Sequence, residues 1–312
     1  MTFSRFTLVL IVGLCALLGA AAPTTAASGG LKVMVTGNCN VAGTDLPAAI
    51  KAQPGIASVT TFDTSAGTPT AAQLSAADLV VDLGNECAEY LDAATYGNRL
   101  ADYVDHGGVV LQMAYDNWDV AGAYPLGRFA SDGYPPLSLG PSANSSTTLG
   151  QVLKPSSPIV KGLGTFATHT NTTTALAKGA TLLAKWADGR NAIAVKGRVV
   201  ATSANGADTN DVADLARLAR NTVTYFDAPP GTKITKATIG AHSAAFRFKA
   251  IGFATGFKCE LKKRGKNATF KACPFQKKYV GLKKGKYTFE VAAVGRGGAD
   301  PTPAKKSFKI PG

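Results

Sequence analysis

The stretch DLVVDLG, residues 78–84, decides the fold of most of this chain. It is a short apolar run that begins at an acid and ends on glycine, and similar runs lie at 31–37 and 109–113. Continuous apolar runs of this length are typical of strands that are buried on both faces. Helical patterns separate them, at 45–52, 71–77 and 94–106. The alternation predicts βαβ crossovers and one parallel sheet with helices on its faces.

The rest of this region shows two further patterns. More strands are predicted at 58–63, 180–187, 191–195 and 198–203, and a last helix at 212–226. Residues 116–180 are rich in Gly, Pro, Ser and Thr and have weak periodicity. We interpret that segment as long loops with short strands laid over the sheet.

The first residues have the pattern of a secretory signal. Arg5 precedes an apolar run from Phe6 to Leu18, and A-x-A cleavage sites follow at 20–22 and 25–27. The alternative is a retained membrane anchor, but the run is shorter than the roughly 20 residues that a membrane span needs. We therefore predict a signal peptide at 1–27, a secreted or cell-surface protein, and no transmembrane segment after cleavage.

Four cysteines remain after signal removal: Cys39, Cys87, Cys259 and Cys273. An even number of cysteines in an exported chain favours disulfides, and free thiols are the alternative. The economical pairing is Cys39–Cys87 and Cys259–Cys273, within each half of the chain. With strands in the order 2-1-3-4, Cys39 and Cys87 follow adjacent strands at the same edge.

Charge divides the chain in two. Residues 28–228 carry 13 Lys or Arg and 17 acids, whereas residues 229–312 carry 19 Lys or Arg and only three acids. The second segment also alternates apolar and polar residues with period two, as at Phe246-Arg247-Phe248, which predicts an antiparallel sandwich. We place the domain boundary at 228/229.

The basic segment predicts attraction to polyanions outside the cell, such as wall polymers, acidic polysaccharide or phospholipid headgroups. Nucleic acid is disfavoured, because few aromatic residues interleave the lysines. The alternative is a surface composition that serves solubility alone. The candidate cations for binding are Lys262, Lys263, Arg264, Lys277, Lys278, Lys283 and Lys284.

Several stretches of the first region resemble the class I glutamine amidotransferase-like fold, including its trehalose-utilisation branch. They are DLVVDLGNE from Asp78, LADYVDHGGVVLQM from Leu100, SPIVKGLGTF from Ser157 and ATLLAKWADGRNAIAVKGRVVATS from Ala180. The resemblance covers most of residues 31–226 and implies a flavodoxin-like parallel sheet with helices on both faces.

The catalytic pattern of that family is where this chain departs. The resemblance implies a cysteine on a strand-to-helix elbow, but residues 112–118 contain neither cysteine nor serine. His169 lies in a Thr-rich loop with no cysteine or acid nearby in the sequence, and a triad needs three groups in contact. We predict no catalytic site and no cofactor. The alternative is an atypical amidotransferase-like or carbohydrate-related hydrolase that uses Cys87.

Polar residues follow the predicted strands, where open parallel sheets bind their ligands. Amides, carboxylates and an aromatic ring suit a sugar or another polar neutral ligand, although ordinary solvated loops have the same composition. A metal held by Asp82, Glu86 and Asp116 is disfavoured, because no spaced ligand motif is present. The candidate ligand-binding residues are Asn38, Asp82, Asn85, Glu86, Asp116 and Trp118, with Asn40 and Asn117 beside them.

The stretch GFKCELKKRGKNATFKACPFQKKYVGLKKGKYTFEVAAVGRGGADPTPAKKSFKI, from Gly256, resembles a bacterial immunoglobulin-like repeat of exported actinobacterial proteins. Lys262 and the turn 296–298 stand where such repeats carry acids, which disfavours calcium. Together these patterns predict an exported, non-catalytic binding protein in which the basic module serves as a spacer or adhesion unit.

Overall fold

The computed structural model of the chain has an α/β region followed by an all-β region. The described residues are 30–37, 41, 44–84, 89–114, 124–143, 145–169, 171–206 and 212–311. The predicted signal peptide lies outside them. Within the described ranges, the helices lack the combination of length and apolar character needed to cross a membrane.

The helices and strands of the α/β region alternate as the sequence predicts. The described helices are α1 Asp45–Lys51, α2 Ala71–Ser75, α3 Ala93–Asp105, α4 Gly127–Ser131 and α5 Val212–Asp227. The described strands are β1 Leu31–Gly37, β2 Ile56–Asp63, β3 Leu79–Asp82, β4 Val110–Gln112, β5 Ser142–Ala143, β6 Thr147–Val152, β7 Ala167–Thr168, β8 Asn171–Thr172, β9 Thr181–Trp186, β10 Asn191–Lys196 and β11 Val199–Thr202.

One sheet organises this region. Its nine described strands lie in the order β2-β1-β3-β4-β11-β10-β9-β6-β7. The pairs β1/β2, β1/β3, β3/β4 and β4/β11 are parallel. The predicted order 2-1-3-4 is therefore confirmed, and it places the apolar stretch around β3 in the middle of the parallel half.

The prediction of a wholly parallel sheet is wrong for the other half, where β10, β9, β6 and β7 pair antiparallel. The turns decide this: β10 and β11 are separated only by Gly197 and Arg198, too few residues for a crossover. Gly197 has a φ of 56°, the left-handed conformation that tight hairpin turns favour. The interpretation of 116–180 is also corrected, because β6 extends the sheet instead of covering it.

Helices cover both faces of the sheet, as predicted. On one face, α1 and α5 contribute Leu46, Ile50, Leu215 and Leu218 to a core with β1, β3 and β4. On the other, α2 and α3 contribute Leu74, Tyr96 and Leu100 to a second core. The parallel strands are therefore buried between two layers of helices.

Three residues separate α5 from the all-β region. Its described strands are β12 Gly231–Ile239, β13 Ser243–Ile251, β14 Gly256–Lys263, β15 Lys271–Cys273, β16 Gln276–Val280, β17 Gly285–Gly295, β18 Gly298–Ala299 and β19 Ala304–Ile310. One sheet contains β12-β13-β16, and the other contains β15-β14-β17 with β18 and β19. Phe246 and Phe248 from the first sheet pack against Phe289 and Val291 from the second, which makes a sandwich.

The disulfide Cys259–Cys273 is confirmed, with 5.8 Å between the two Cα atoms. It joins the neighbouring strands β14 and β15 of one sheet. The other predicted partners, Cys39 and Cys87, lie outside the described residues, so that pairing stays a prediction.

Candidate functional site

The carboxyl edge of the sheet contains the polar groups of the α/β region. The chain passes from β1 outward to β2 and returns to β3 on the other side of β1, so the strand order reverses between β1 and β3. Ligands of open α/β sheets bind beside such a reversal, outside the carboxyl ends of the strands.

Asp82, the last residue of β3, is the centre of a buried hydrogen-bond cluster at this reversal. Its Oδ1 accepts hydrogen bonds from Tyr90 OH at 2.9 Å and from Thr36 Oγ1 at 3.2 Å. Thr36 Oγ1 also lies 2.8 Å from Tyr96 OH on α3, and the Tyr90 and Tyr96 rings are stacked. The cluster therefore ties the ends of β1 and β3 to α3.

Burial raises the pKa of Asp82 to about 6, although the hydrogen bonds from Tyr90, the Gly84 amide and Thr36 oppose the rise. Two buried oxygens of the described residues lack a hydrogen-bond partner here, Asp82 Oδ2 and Gln112 Oε1. Asp82 and Gln112 are neighbours in register on β3 and β4. Burial without a neighbouring cation therefore favours the neutral form of this carboxyl relative to an exposed aspartate.

The placement of Asp82 changes its expected role. The side chain was predicted to contact a ligand, but it is fully buried and lies beneath the edge. Its role is to hold the ends of β1 and β3 in position through its hydrogen bonds. The other predicted ligand-binding residues stay predictions, because they lie outside the described part of the chain: Asn38, Asn85, Glu86, Asp116 and Trp118, together with Asn40 and Asn117.

An open cleft of about 820 Å³ lies farther along the same edge, over the antiparallel half. The carboxyl ends of β7 and β9 and the start of β6 meet there, because β6 is antiparallel to both. Most of the lining groups are hydroxyls, with one carboxylate, one guanidinium and one imidazole. The polar lining residues are Ser145, Ser146, Thr147, Thr148, Thr168, His169, Asp188 and Arg190.

The turn between β9 and β10 supplies the charged pair of this cleft. Gly189 has a φ of 87°, which lets the turn bring Arg190 back beside Asp188. Arg190 Nε and Nη2 donate to Asp188 Oδ2 at 3.0 and 2.5 Å, and Nη2 also donates to Ser145 Oγ at 2.8 Å. The hydrogen bonds from Arg190 hold the pKa of Asp188 below its usual value of 3.8. The pair is thus ionised and held in position at neutral pH.

Sequence reasoning missed Ser146. Its Oγ lies 2.5 Å from His169 Nδ1, although 23 residues separate the two in the chain. The two residues meet because Thr147 of β6 pairs with Thr168 of β7. Only cysteines and acids were considered near His169 in the sequence, so this serine was not among the candidates. Ser146 precedes a strand in an irregular segment, however, and is not on a strand-to-helix elbow.

Buried hydrogen bonds hold residues that are adjacent in sequence to the lining of the cleft or in contact with it. Trp186 Nε1 donates to Ser203 Oγ at 2.8 Å, and Ser203 Oγ donates to the Asn191 carbonyl at 2.6 Å. The Asn205 amide donates to Thr168 Oγ1 at 3.3 Å, which joins the end of β11 to β7. Thr168, one of the lining residues, is therefore attached to the parallel half of the sheet.

The predicted cations of the β region fall into different environments. Lys262 lies 2.5 Å from Glu260 and 3.4 Å from Glu290, two acids with side chains only 3% and 10% exposed. Its side chain is nevertheless 39% exposed, so its predicted part in polyanion binding stays a prediction, although the two carboxylates offset its charge. Lys263 and Lys277 lie over the rings of Tyr287 and Tyr279. Arg264, Lys278, Lys283 and Lys284 are exposed.

Groups that could bind a metal ion are absent from the described residues, where no three His, Cys, Asp or Glu side chains come together. Glu86 and Asp116, two of the three carboxylates weighed for a metal, lie outside that part of the chain.

No protein-family model matches the sequence, and no curated protein matches it either. Among solved structures, a cytoplasmic protein from Salmonella typhimurium is 12% identical, with a TM-score of 0.50, and the match covers 62% of this chain and 98% of that protein. That likeness shows the fold of the α/β region.

Two other solved structures are similar at lower TM-scores. A putative ThuA-like protein from Bacteroides uniformis is 10% identical, with a TM-score of 0.44, over 65% of this chain and 96% of that protein. The FN5 domain of Drosophila Lar is 22% identical, with a TM-score of 0.23, over 28% of this chain and 98% of that domain.

Proposed function

We propose that this chain is an exported, non-catalytic binding protein. The α/β region binds a polar, carbohydrate-like ligand at the carboxyl edge of its sheet, and the basic β region holds the protein to an anionic surface polymer. The observation that carries the first part is the cleft lined by Ser145, Ser146, Thr168 and the Asp188–Arg190 pair.

The chemistry of the cleft suits a sugar. A saccharide presents hydroxyls that donate and accept, and hydroxyl, carboxylate and guanidinium groups can bind them from fixed positions. Binding costs less conformational entropy when the protein groups are already ordered. The bonds from Arg190 to Asp188 and to Ser145 supply that order.

The test is a titration of the mature protein with neutral disaccharides such as maltose, trehalose and cellobiose, followed by amide NMR shifts and calorimetry. We expect saturable shifts confined to residues around the cleft. Arg190→Ala should weaken binding at least tenfold, whereas Ser131→Ala, a serine on α4 outside the cleft, should leave it unchanged. Shifts that are absent for every sugar, or that cluster elsewhere, would contradict the proposal.

The contact between Ser146 and His169 favours a second candidate function, a hydrolase with a serine nucleophile. A histidine beside a serine hydroxyl can remove its proton during attack. A fluorophosphonate probe should then label the protein, and Ser146→Ala should abolish the labelling. The other enzymatic possibility, Cys87, requires a free thiol in the oxidised mature protein, which a thiol count detects.

Adhesion is supported by the formal charge of +16 on residues 229–312. Attraction between exposed charges is screened by salt, with a Debye length of about 10 Å at 0.1 M and about 3 Å at 1 M. The protein should sediment with cell walls at low ionic strength and wash off near 1 M salt. Retention that does not depend on salt would rule out this part of the proposal.

A further inference from the structure

The outer face of the sheet β12-β13-β16 carries cations and no acid among the described residues. The inner face of β13 is defined by Phe246 and Phe248, which lie in the sandwich core. The residues between them, and their partners on β12 and β16, therefore point outward. The exposed cations of this face, called the cationic face below, are Lys233, Lys236, Arg247, Lys249 and Lys278.

Like charges lie directly opposite each other on the cationic face. Lys233 pairs in register with Lys249, and Lys236 pairs with Arg247. Lys278 lies across from Ala245, one strand farther. Directly opposed like charges destabilise an antiparallel pair. A bound polyanion would offset this repulsion. The cationic face should therefore bind a polyanion more tightly than scattered surface lysines would.

On the second sheet of the sandwich, by contrast, opposed like charges are neutralised by residues of opposite charge. There Glu260 and Glu290 also lie opposite each other in register, but Lys262 contacts both and Lys305 lies 3.4 Å from Glu290. The third acid of the region, Asp300, is buried near β18. The few acids of this region are thus all on the second sheet, and the cationic face has none to balance it.

A groove of about 630 Å³ runs across the cationic face. Its lining residues include the cations Lys236, Arg247 and Lys278 and the hydroxyl residues Thr238 and Ser243. The backbones of neighbouring strands are about 4.8 Å apart, and residues two apart on one strand are separated by about 6.8 Å along the backbone. A linear chain can meet several of these charges at once, and the planar guanidinium of Arg247 matches a carboxylate.

We propose that the cationic face is the docking surface for a linear acidic polysaccharide whose sugar units bear carboxylates. Its carboxylates contact Lys236, Arg247 and Lys278, and its hydroxyls bond to Thr238 and Ser243. A groove lined with both hydroxyls and cations fits a sugar chain, whereas a lipid surface is flat and cannot enter the groove. This inference rests on the proposed adhesive function and locates it away from the turn lysines 283 and 284.

The experiment compares two triple variants of the full mature chain on immobilised polygalacturonate. One removes cations from the face: Lys236→Gln, Arg247→Gln and Lys278→Gln. The matched control removes three exposed cations elsewhere: Lys258→Gln, Lys266→Gln and Lys309→Gln. Both lose the same net charge. We expect the face variant to bind at least tenfold more weakly and the control to stay within about twofold of the parent chain.

The unfolding temperatures of the two variants show whether a loss of binding comes from a loss of the fold. The face variant should unfold at the same temperature as the parent chain or higher, because an opposed cation pair is removed.

Equal losses of binding in both variants would overturn the inference but leave adhesion by net charge intact. A parent chain that binds no polyanion would instead overturn the adhesive function itself. Binding to polyglycerol phosphate or to anionic vesicles, with none to polygalacturonate, would also overturn the inference, since the partner would not be a polysaccharide.

Discussion

The guanidinium of Arg198, in the turn between β10 and β11, lies 4.6 Å from the centroid of the Phe253 ring in the β region. It is also 5.3 Å from the ring of Phe226, at the end of α5, and the two rings meet edge to face. Arg296 of the β region forms ion pairs with Asp78 and Asp227 beside this cluster. The two regions are thus joined by a packed aromatic and cationic contact.

Phe253→Ala should weaken this junction. The change removes the cation–π contact, which contributes roughly 0.5–2 kcal/mol, and one of the two aromatic partners of Phe226. We expect calorimetry to show a lower unfolding temperature and a separation of the α/β and β transitions. Phe275→Ala is the control, because that ring is 67% exposed. A single unshifted transition in Phe253→Ala would show that the junction is energetically neutral.

Asp82→Asn should alter how stability depends on pH. The pKa of Asp82 rises on folding from 3.8 to about 6, so the folded state binds the proton more tightly. The protonated carboxyl therefore contributes to the free energy of unfolding. This contribution, on the order of 3 kcal/mol, is fully present below the unfolded pKa and is lost as the pH rises through about 6.

Asparagine keeps an acceptor for Tyr90 and Thr36 and places an uncharged group at the position of Oδ2. Chemical denaturation at pH 4 and pH 7 should show a gain for the variant that is larger at pH 7. If the substitution changes the free energy of unfolding equally at both pH values, the pKa of Asp82 is not raised by folding, and the carboxyl is already ionised in the folded state near pH 4.

Loss of the Cys259–Cys273 bond should destabilise the β region. The two cysteines are 14 residues apart in the chain, and a crosslink of that length contributes about 3 kcal/mol in the chain-entropy model. The double change to alanine should lower the unfolding temperature of the β transition in the full chain, with the α/β transition less affected. An unchanged β transition would assign the stability of the sandwich to its aromatic core alone.

Lys262→Glu should destabilise the sandwich, whereas Lys284→Glu should not. The first change places a third carboxylate against Glu260 and Glu290, which are buried and lose their shared cation. Lys284 is an exposed turn residue, so its reversal changes the net charge equally without touching an internal pair. The readout is the unfolding temperature of both variants. Equal shifts would mean that net charge, and not the local ion pairs, controls stability.

Much of the fold could be predicted from local sequence patterns. The apolar stretch of β3 identified a strand buried on both faces, and the spacing of α3 and α5 identified helices packed against the sheet. The antiparallel half was missed because β6 and β9 pair across about 30 residues of irregular chain, and no local periodicity records such a pairing. The cleft beside Ser146 was not predicted, because the candidate ligand residues were placed after the parallel strands and the cleft lies over the antiparallel half.

The sequence alone determined that strands alternate with helices, that a basic period-two segment follows an acidic one, and that Cys259 pairs with Cys273. These features depend on residues that are close along the chain or on composition. Only the tertiary structure decided that Ser146 meets His169, that Lys262 neutralises buried acids, and that Lys236 stands opposite Arg247. Each of these contacts depends on strand register, and a shift of one residue would turn every side chain of a strand to the other face.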